Sequence, residues 1–589
     1  MRGTCLWMAL VMAAPGFAGR AWAGAKLWEK KLDSDVVWKQ FHDAGVVLTV
    51  TKKGNLYGFD PKTGEERFKL EDMLKPLTPD EIPGRPYVVP GTPLVVVVTK
   101  AGMTKPEVIS VLDVTTGKAG WTIGSEVPPS SWAGLLDGKE PKEPPQATFS
   151  GLHSAILDPD RAQLVLFTAG SVLWKGEPMK SKYYRMLEGT VAGVDLATGK
   201  LNFVAAYGGD PGTYDTVKDG GLQIVGDKVL IDWNGVMVYQ LADGAQVTSA
   251  AFKRALKKGR YALQGAHAKT IVEGDVAYLV VKDHIEAWDI KTGQRKWEAE
   301  GTDSAIPELH LAGDKLVVRI GGVFCFTSAG QEQCVEQDPY GVVAYDKATG
   351  KQVFHTKEWD KKSKNILITP LAIANGLVYW GTSARLIALD LQSLQVKFTT
   401  ELNGNDPDEN PGGIAVEDGK VYLMNTQTTG AFDAATGSLL WSKTVPATKM
   451  DSAMKMALTF SKAVAALDAV QRAYNRVQEG GLGSDAIWAK KTSAALGQAY
   501  GAGYDNMMKR MSAADAAGQF NYVMTGKSKD AIVVGVNTKT GEVERGTQVE
   551  GRVPAFMVDP VAAVLVNVSK SDPKWVMGFD MSAPLPEFN

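Results

Sequence analysis

The sequence lacks the residue patterns that mark common catalytic sites. It contains no Gly-x-Ser-x-Gly element, no cysteine and histidine arrangement of a nucleophilic enzyme and no phosphate-binding loop. Histidine is scarce and never comes at the spacing of metal ligands, which indicates scattered surface or loop residues. The six histidines are His42, His153, His267, His284, His310 and His355. We therefore predict no catalytic and no metal-binding residue.

An excess of charge and a long apolar segment are also missing. The 64 basic residues nearly balance the 66 acidic ones, and the formal net charge is −2 at pH 7. Such a balance gives no general attraction to nucleic acid or to an anionic membrane surface. The apolar run at residues 6–14 is too short to cross a bilayer. The sequence therefore predicts neither nucleic-acid binding nor a transmembrane segment.

Residues 1–23 have the organisation of a secretory signal peptide. Arg2 supplies the positive start, residues 6–14 the apolar run, and residues 21–23 a small-x-small cleavage site ahead of Gly24. Cys5 lies before the apolar run, so it is not the lipid-bearing cysteine that would follow such a run. We expect an exported protein, periplasmic or secreted, that is not a lipoprotein.

Only two cysteines remain after that segment. Cys325 and Cys334 are nine positions apart and flank the turn-like residues 328–330. In an oxidising compartment this spacing favours a disulfide at the tip of a hairpin. The alternative is a pair of unlinked thiols.

One short pattern recurs through the rest of the chain. It consists of an apolar strand, an Asp, two variable positions, Thr-Gly, and an aromatic residue four positions after the Gly. Six copies carry all three marker residues: Asp60, Gly64 and Phe68; Asp113, Gly117 and Trp121; Asp195, Gly199 and Phe203; Asp289, Gly293 and Trp297; Asp346, Gly350 and Phe354; Asp433, Gly437 and Trp441. Three looser copies contain Gln240 and Gly244, Asp390 and Phe398, and Asn537 and Gly541.

Each marker residue of the repeat has a physical reason. The Asp side chain can accept hydrogen bonds from N–H groups inside a turn, and Gly supplies the positive φ that closes a hairpin. The aromatic residue then lies in the returning strand, where it can cover the next repeat. Successive turns are mostly about 43 to 57 residues apart, which fits a four-stranded propeller blade.

The two ends of the chain predict how the ring closes. Residues 562–568 and 574–580 supply strands of a last unit whose returning strand is missing, and residues 26–30 resemble a returning strand without its turn. Pairing them would remove an exposed sheet edge. We therefore predict an all-β protein, a propeller of 8 to 10 four-stranded units closed by its N- and C-terminal strands.

Residues 447–518 interrupt the array with helical periodicity. We predict a helical hairpin here, between propeller blades at 24–446 and final blades at 519–589, with its connection at residues 479–484. Methionine is common on surfaces that accept varied partners. Candidate partner contacts are Met454, Trp488, Tyr504, Met507, Met508 and Met511. The alternative is a cap over one mouth of the propeller.

The repeated Asp-x-x-Thr-Gly-x-x-x-Trp element resembles the pyrroloquinoline quinone (PQQ) type propeller repeat. The resemblance covers nearly the whole chain after residue 23 except the helical insert. Relatives include quinoprotein dehydrogenases and a non-enzymatic branch that contains the propeller component of the outer-membrane β-barrel assembly machinery. The non-enzymatic branch implies a scaffold that binds other envelope proteins, with no cofactor. This is the favoured interpretation.

The dehydrogenase branch is the main alternative. Those enzymes use PQQ with calcium, a vicinal cysteine pair, a stacking Trp and a catalytic Asp, whereas this chain has no adjacent cysteines and no Cys-x-x-Cys-His haem site. The oxygen-rich residues 403–410 lack the glycine and distant Glu of an EF-hand loop, which favours a solvated turn over a calcium site. A propeller that binds a small molecule or sugar without chemistry is the third alternative.

Overall fold

The fold was examined in a computed structural model. It describes residues 25–74, 86–99, 108–123, 126–127, 146–173, 187–208, 221–232, 236–250, 268–281, 283–328, 331–356, 369–382, 384–402, 413–424, 428–444, 481–517, 520–527, 530–549, 556–569 and 571–584. The predicted signal peptide, the stretch at 403–410 and Met454 lie outside these residues. The described strands form ten antiparallel sheets, and each sheet is one blade of a β-propeller.

The first five blades follow one another along the chain after β1 (Lys26–Lys31). Blade 1 contains β2 (Val36–His42), β3 (Val46–Thr51), β4 (Leu56–Phe59) and β5 (Glu66–Leu70). Blade 2 contains β6 (Tyr87–Val88), β7 (Leu94–Thr99), β8 (Val108–Asp113) and β9 (Lys118–Ile123). Blade 3 contains β10 (Glu126–Val127), β11 (Gln146–Asp158), β12 (Gln163–Leu173), β13 (Leu187–Asp195) and β14 (Leu201–Gly208). Blade 4 contains β15 (Gly221–Val225), β16 (Lys228–Asp232), β17 (Val236–Gln240) and β18 (Gln246–Ala250). Blade 5 contains β19 (Ile271–Glu273), β20 (Val276–Val281), β21 (His284–Asp289) and β22 (Gln294–Glu298).

The remaining blades include the helical insert. Blade 6 contains β23 (Glu308–Ala312), β24 (Lys315–Ser328), β25 (Gln331–Asp346) and β26 (Gln352–His355). Blade 7 contains β27 (Ala372–Ala374), β28 (Leu377–Gly381), β29 (Arg385–Asp390) and β30 (Gln395–Glu401). Blade 8 contains β31 (Gly413–Glu417), β32 (Lys420–Met424), β33 (Thr428–Asp433) and β34 (Leu439–Thr444). The helix α1 (Gly481–Ala517) precedes blade 9, which contains β35 (Phe520–Lys527), β36 (Asp530–Asn537) and β37 (Val543–Val549). Blade 10 contains β38 (Met557–Asp559), β39 (Val564–Val568), β40 (Trp575–Asp580) and β1.

The ring is closed as the sequence predicts. The N-terminal strand β1 pairs antiparallel with β40, with Lys31 opposite Trp575 and Lys26 opposite Phe579. A sheet edge at each end of the chain is removed in this way. The predicted all-β propeller closed by its terminal strands is confirmed, and its blade count is ten.

The first strands of the blades surround the central axis. Inner strands of neighbouring blades contact each other: β2 contacts β38, β19 contacts β23 and β27 contacts β31, and β6 contacts β11, the second strand of the five-stranded blade 3. The core consists of apolar layers between adjacent blades; one layer, for example, joins Val317 and Val342 of blade 6 to Trp380 and Leu389 of blade 7. Because every blade is buried by its neighbours, the array escapes the size limit of a single core.

The repeat turns set how closely neighbouring blades pack, because an aromatic ring of one blade lies on the turn glycine of the next. Trp121 of blade 2 packs over Gly199 of blade 3, and its indole N–H donates a 2.9 Å hydrogen bond to the carbonyl oxygen of Leu196. The same blade-to-next-blade contact recurs for Trp28 on Gly64, Phe68 on Gly117, Phe203 on Gly244, Trp297 on Gly350, Phe398 on Gly437 and Trp441 on Gly541. A side chain on any of these glycines would occupy the place of the aromatic ring.

Candidate functional site

The Asp turns all lie on one face of the ring, which we call the Asp-turn face. In a four-stranded meander the turn between strands one and two and the turn between strands three and four lie at the same end of the sheet. The Asp turns are the second kind, so both sets of turns share this face. The Asp-turn face is therefore the surface on which neighbouring blades present equivalent groups.

The repeat aspartates are occupied within their own turns. Asp289 Oδ1 accepts the backbone N–H groups of Lys291 and Thr292, both at 2.9 Å, and the Thr292 N–H is the main reason that the pKa of Asp289 is lowered. Gly293 takes φ of 67° in the same turn. Asp60, Asp195, Asp346, Asp390 and Asp433 accept hydrogen bonds from their own turns in the same way. These carboxylates act as turn caps.

The helix α1 lies across part of this face. Near its start, Lys491 pairs with Asp160 in the turn between β11 and β12 of blade 3, at 2.7 Å. Further along, the Tyr500 hydroxyl lies against Gly120 of blade 2. Close to its end, Arg510 pairs with Asp559, the last residue of β38, next to the first turn of blade 10. The helix thus follows the ring over blades 3, 2, 1 and 10, which we call the covered arc.

The contacts with blades 1 and 2 leave little space. A Cβ on Gly503 would lie 2.7 Å from Thr115 Oγ1 and 2.9 Å from Asp113 Oδ2, so the helix backbone rests on an Asp turn. The first turn of blade 1 contacts Arg510 directly at Gly45. Arg510 also lies over the ring of Phe41, 6.0 Å from its centroid.

The buried side of α1 is an apolar stripe. Leu496, Tyr500, Tyr504 and Met507 are buried and belong to the same apolar cluster as the strands of blades 1, 2 and 3. Burial raises the pKa of both tyrosines to about 12. The outward side of the helix is polar, with exposed Lys490, Lys491, Asp505, Asn506 and Lys509. The stripe therefore attaches the helix to the ring.

This placement bears on the predicted partner contacts. Tyr504 and Met507 are buried against the propeller, so their side chains are not presented to another molecule. Met508 is half-buried at the edge of the same cluster. Trp488 and Met511 lie within α1, and only their backbone is described. The described contacts place α1 along the covered arc, and both the partner contacts and the alternative of a cap over one mouth stay predictions.

The course of the insert differs from the predicted hairpin in one respect. The helix begins at Gly481, so residues 481–484 are helical instead of forming the connection. The interruption falls at Gly497, with φ of 45° and ψ of −136°, a combination that glycine tolerates because it has no Cβ. Glycine count alone did not indicate which glycine would leave the helical conformation. The first predicted helical run lies outside the described residues.

On the rest of the Asp-turn face, on blades 4 to 8, no described residue covers the first turns. These first turns contain Gly226, Gly274, Gly313, Gly376 and Gly419, each with positive φ. No described atom would lie within 4 Å of a Cβ at any of the five, in contrast to Gly45 under Arg510. We call these blades the open arc.

Charged side chains of both signs line the open arc. Lys228 pairs with Asp227 at 2.7 Å, Lys315 with Asp314 at 2.5 Å, and Lys347 of blade 6 with Glu273 of blade 5 at 2.7 Å. The carboxylates are exposed, up to 79% for the side chain of Asp314. Pairs of this kind contribute about 0–1 kcal/mol to folding. They provide polar contact groups at little cost to stability.

Two histidines contradict the expectation of surface or loop positions. His42 ends β2 and is 1% exposed; its Nδ1 accepts the N–H of Ala44 at 3.0 Å, and burial lowers its pKa to about 4. His310 lies in β23 and is also buried, with Nε2 3.4 Å from Glu308 Oε2. Both lie in strands at inner positions of the ring, which a count of histidine spacings does not detect.

A third histidine lies in a cluster that the sequence analysis missed. His284 and Glu286 on β21 and Glu298 on β22 bring one ligand atom each within 4.8 Å of one another. The carboxylates of Glu286 and Asp283 raise the pKa of His284, and hydrogen bonds help to lower the pKa of Glu286 despite its burial. The sequence feature that could have indicated this cluster is His-x-Glu on one predicted strand, because alternate residues of a strand lie on the same face.

The backbone of blade 6 places the two cysteines opposite each other. Cys325 of β24 and Cys334 of β25 are partners in the antiparallel register. Directly opposite residues in such a ladder have Cα atoms about 4.5–5.5 Å apart, within the range of a disulfide. Their side chains are not described, so the disulfide stays a prediction.

Comparison with known proteins shows a family. The family model described as outer membrane protein assembly factor BamB matches residues 18–123 and 242–473, together more than half of the chain. No curated protein matches. Within the described residues, no helix has both the length and the apolar character needed to cross a membrane.

Three similar solved structures are each matched over most of their own length. BamB from Moraxella catarrhalis is 14% identical with a TM-score of 0.34, over 68% of this chain and 96% of that one. The computationally designed Ika8 protein is 13% identical with a TM-score of 0.32, over 73% and 95%. Sqt1 of Saccharomyces cerevisiae is 12% identical with a TM-score of 0.32, over 63% and 90%.

Proposed function

The chain belongs to the outer membrane protein assembly factor BamB family, and from this premise we propose that it is a non-catalytic scaffold that binds other proteins of the cell envelope. The proposal places it in the periplasm, after removal of the signal peptide at residues 1–23. The observation that carries the proposal is the asymmetry of the Asp-turn face. One arc is covered by α1, whereas among the residues that the structure describes nothing covers the equivalent turns on blades 4 to 8.

The chemistry of the open arc suits a protein partner. It combines carboxylates and ammonium groups in alternation, as at Asp227 and Lys228 or Asp314 and Lys315. A surface with both signs gives specificity of orientation without a general attraction to polyanions. The repeat carboxylates, in contrast, are held inside their turns and contribute to the shape of the surface.

The role we assign to α1 is to cover the arc formed by blades 3, 2, 1 and 10. Its apolar stripe is buried against blades 1, 2 and 3, and its outward side is polar. In this proposal the helix reinforces the part of the ring next to the joined chain ends and leaves the open arc as the binding surface. A direct contact between the polar side of α1 and a partner is the competing arrangement.

Site-specific photocrosslinking in the producing cell tests the proposal. A photoreactive residue is placed at Asp227, Asp314 or Glu417 on the open arc, all exposed. We expect all three positions to crosslink to the same envelope protein, identified by mass spectrometry.

Two further positions provide controls. Lys53 is exposed in the turn between the second and third strands of blade 1, on the opposite face, and should not crosslink to that protein. Asn506 is exposed on the outer side of α1. Crosslinks at Asn506 alone would assign binding to the helix, and an absence of specific crosslinks at every position would overturn the scaffold proposal.

A further inference from the structure

Blade 5 has a group of side chains that the repeat does not require. His284 and Glu286 lie on one face of β21, and Glu286 is directly opposite Glu298 of β22. Asp283 comes immediately before the strand, on the other side of the imidazole. Three side chains of two ligand types that bind divalent metals, one imidazole and two carboxylates, are thus fixed on neighbouring strands.

The distances around His284 match those between ligands of one ion. Nε2 lies 3.5 Å from Glu286 Oε1 and 3.6 Å from Glu298 Oε1. Both distances exceed the usual 2.7–3.2 Å of an N–H···O hydrogen bond. Two atoms about 2.0–2.1 Å from a tetrahedral zinc lie roughly 3.3 Å apart, which both His284 distances approach, and the three ligand atoms all lie within 4.8 Å of one another.

The second ring nitrogen has the partner that metal-bound histidines usually have. Nδ1 of His284 lies 3.4 Å from Asp283 Oδ1. A carboxylate at this position orients the imidazole so that Nε2 presents its lone pair to the metal.

Comparison among the repeats shows that Glu286 is an exception. The residue three positions before the turn Asp, or its replacement, is uncharged in eight other blades: Tyr57, Ser110, Ala192, Met237, Val343, Ile387, Gly430 and Val534. Glu286 is nevertheless 5% exposed, and a buried carboxylate is costly unless it is paired. Blade 4 also has Thr248 where most repeats have the docking aromatic residue. The joint of blades 4 and 5 therefore departs from the repeat on both sides.

Two other groups contact these carboxylates. Arg295 is 2.8 Å from Glu286 Oε1 and 2.6 Å from Glu298 Oε2, and the Trp288 indole N–H donates to Glu286 Oε2 at 2.7 Å. Arg295 is 45% exposed and can move towards solvent. With one arginine against three carboxylates, a divalent cation would restore the charge balance.

We propose that His284 Nε2, Glu286 and Glu298 bind a divalent transition metal, best matched by zinc, with Asp283 as the positioning residue. Three protein ligands leave a fourth position for water or for a side chain of a bound protein. The metal would fasten β21 to β22 at the outer part of the joint between blades 4 and 5. This site is independent of the proposed scaffold role.

Zinc titration of the metal-stripped mature protein by calorimetry tests the proposal. We expect one zinc per chain. The informative variant is Glu298→Gln, because Glu298 is exposed and its replacement should not affect folding; zinc binding should weaken by at least about ten-fold, as also for Asp283→Asn. Cobalt absorption in the visible range provides a second readout of His284 coordination, which should be lost in His284→Gln.

The matched control is Glu273→Gln, the same change on an exposed carboxylate of the same blade that pairs with Lys347. Zinc affinity should be unchanged in this variant. Arg295→Gln should bind zinc at least as tightly as the unmodified protein, because a competing cation is removed. Absence of zinc binding, or equal affinity in Glu298→Gln and the unmodified protein, would overturn the proposal.

Discussion

The covered and open arcs of the Asp-turn face are built from the same repeat, yet they differ in the described residues that contact their turns. Gly45 in blade 1 and Gly313 in blade 6 occupy equivalent first turns with positive φ, but Gly45 lies under Arg510 and Gly313 has no described neighbour within 4 Å of its Cβ position. The difference arises from an insert that enters the chain between blades 8 and 9. A turn in a repeat protein thus becomes core or surface according to what a distant segment places on it.

The largest effect on the covered arc is expected when a side chain of the apolar stripe of α1 is removed, because the stripe holds α1 on the ring. Tyr504→Ala deletes a ring that is 2% exposed, and we expect a loss of about 3–5 kcal/mol in the free energy of unfolding with faster proteolysis of α1. Asn506→Ala, two residues away on the exposed side, should change stability by less than about 0.5 kcal/mol. Urea unfolding and limited trypsin digestion measure both. Equal effects of the two substitutions would contradict the docking of the stripe.

One ion pair on each arc should differ nearly as much. Asp559 is fully buried where it pairs with Arg510, whereas the side chain of Asp314 is 79% exposed beside Lys315. Asp559→Asn leaves the guanidinium without its buried counter-charge, and we expect a cost of about 3 kcal/mol. The expected cost of Asp314→Asn is below about 1 kcal/mol. Thermal unfolding at low and high salt compares them; a larger salt effect on the Asp559 pair would argue against its burial.

Acid should weaken the covered arc through His42. Its folded-state pKa of about 4 lies below the ordinary value of 6.5, so the unfolded chain binds the proton first as the pH falls. Stability from this group is complete above pH 6.5 and is lost between pH 6.5 and 4, by about 3 kcal/mol in total. His42→Gln should remove this part of the pH dependence.

The contribution of His284 to stability should depend on pH with the opposite sign, so His284 is a useful control for His42. Its pKa is raised by Glu286 and Asp283, so its contribution is complete below its unfolded value of 6.5 and is lost as the pH rises through the folded-state pKa. In metal-stripped protein, unfolding of His42→Gln and His284→Gln across pH 4 to 8 should therefore change the slope of stability against pH in opposite directions. A common direction would show that one of the two pKa shifts has the wrong sign.

The smallest expected effect comes from the matched glycines. Gly45→Ala and Gly313→Ala both place a Cβ at positive φ, at a cost of about 1–2 kcal/mol each. Only Gly45→Ala also displaces Arg510, which should add about 1 kcal/mol. Arg510→Ala introduced together with Gly45→Ala should cancel the added cost in a double-mutant cycle. No difference between the single glycine variants would mean that α1 does not rest on blade 1.

Much of the fold was predictable because its determinants are local. The Asp and Gly of each turn act within five residues, and the aromatic residue acts on the next blade, so copies such as Asp289 with Gly293 and Trp297 can be recognised from spacing alone. The pairing of β1 with β40 was also predictable, since an incomplete first unit and an incomplete last unit complement each other. The candidate sites were less accessible, because they depend on contacts between distant segments.

The sequence by itself determined the repeat, the closure of the ring and the presence of a helical insert, since each depends on short-range turn chemistry or periodicity. Only the tertiary structure decided that Tyr504 and Met507 face the propeller, that Gly497 interrupts the helix, and that His284 meets Glu298. Those outcomes depend on which surfaces come into contact. A helix with an apolar stripe buries it against whichever surface it reaches, and periodicity reveals the stripe but not the surface.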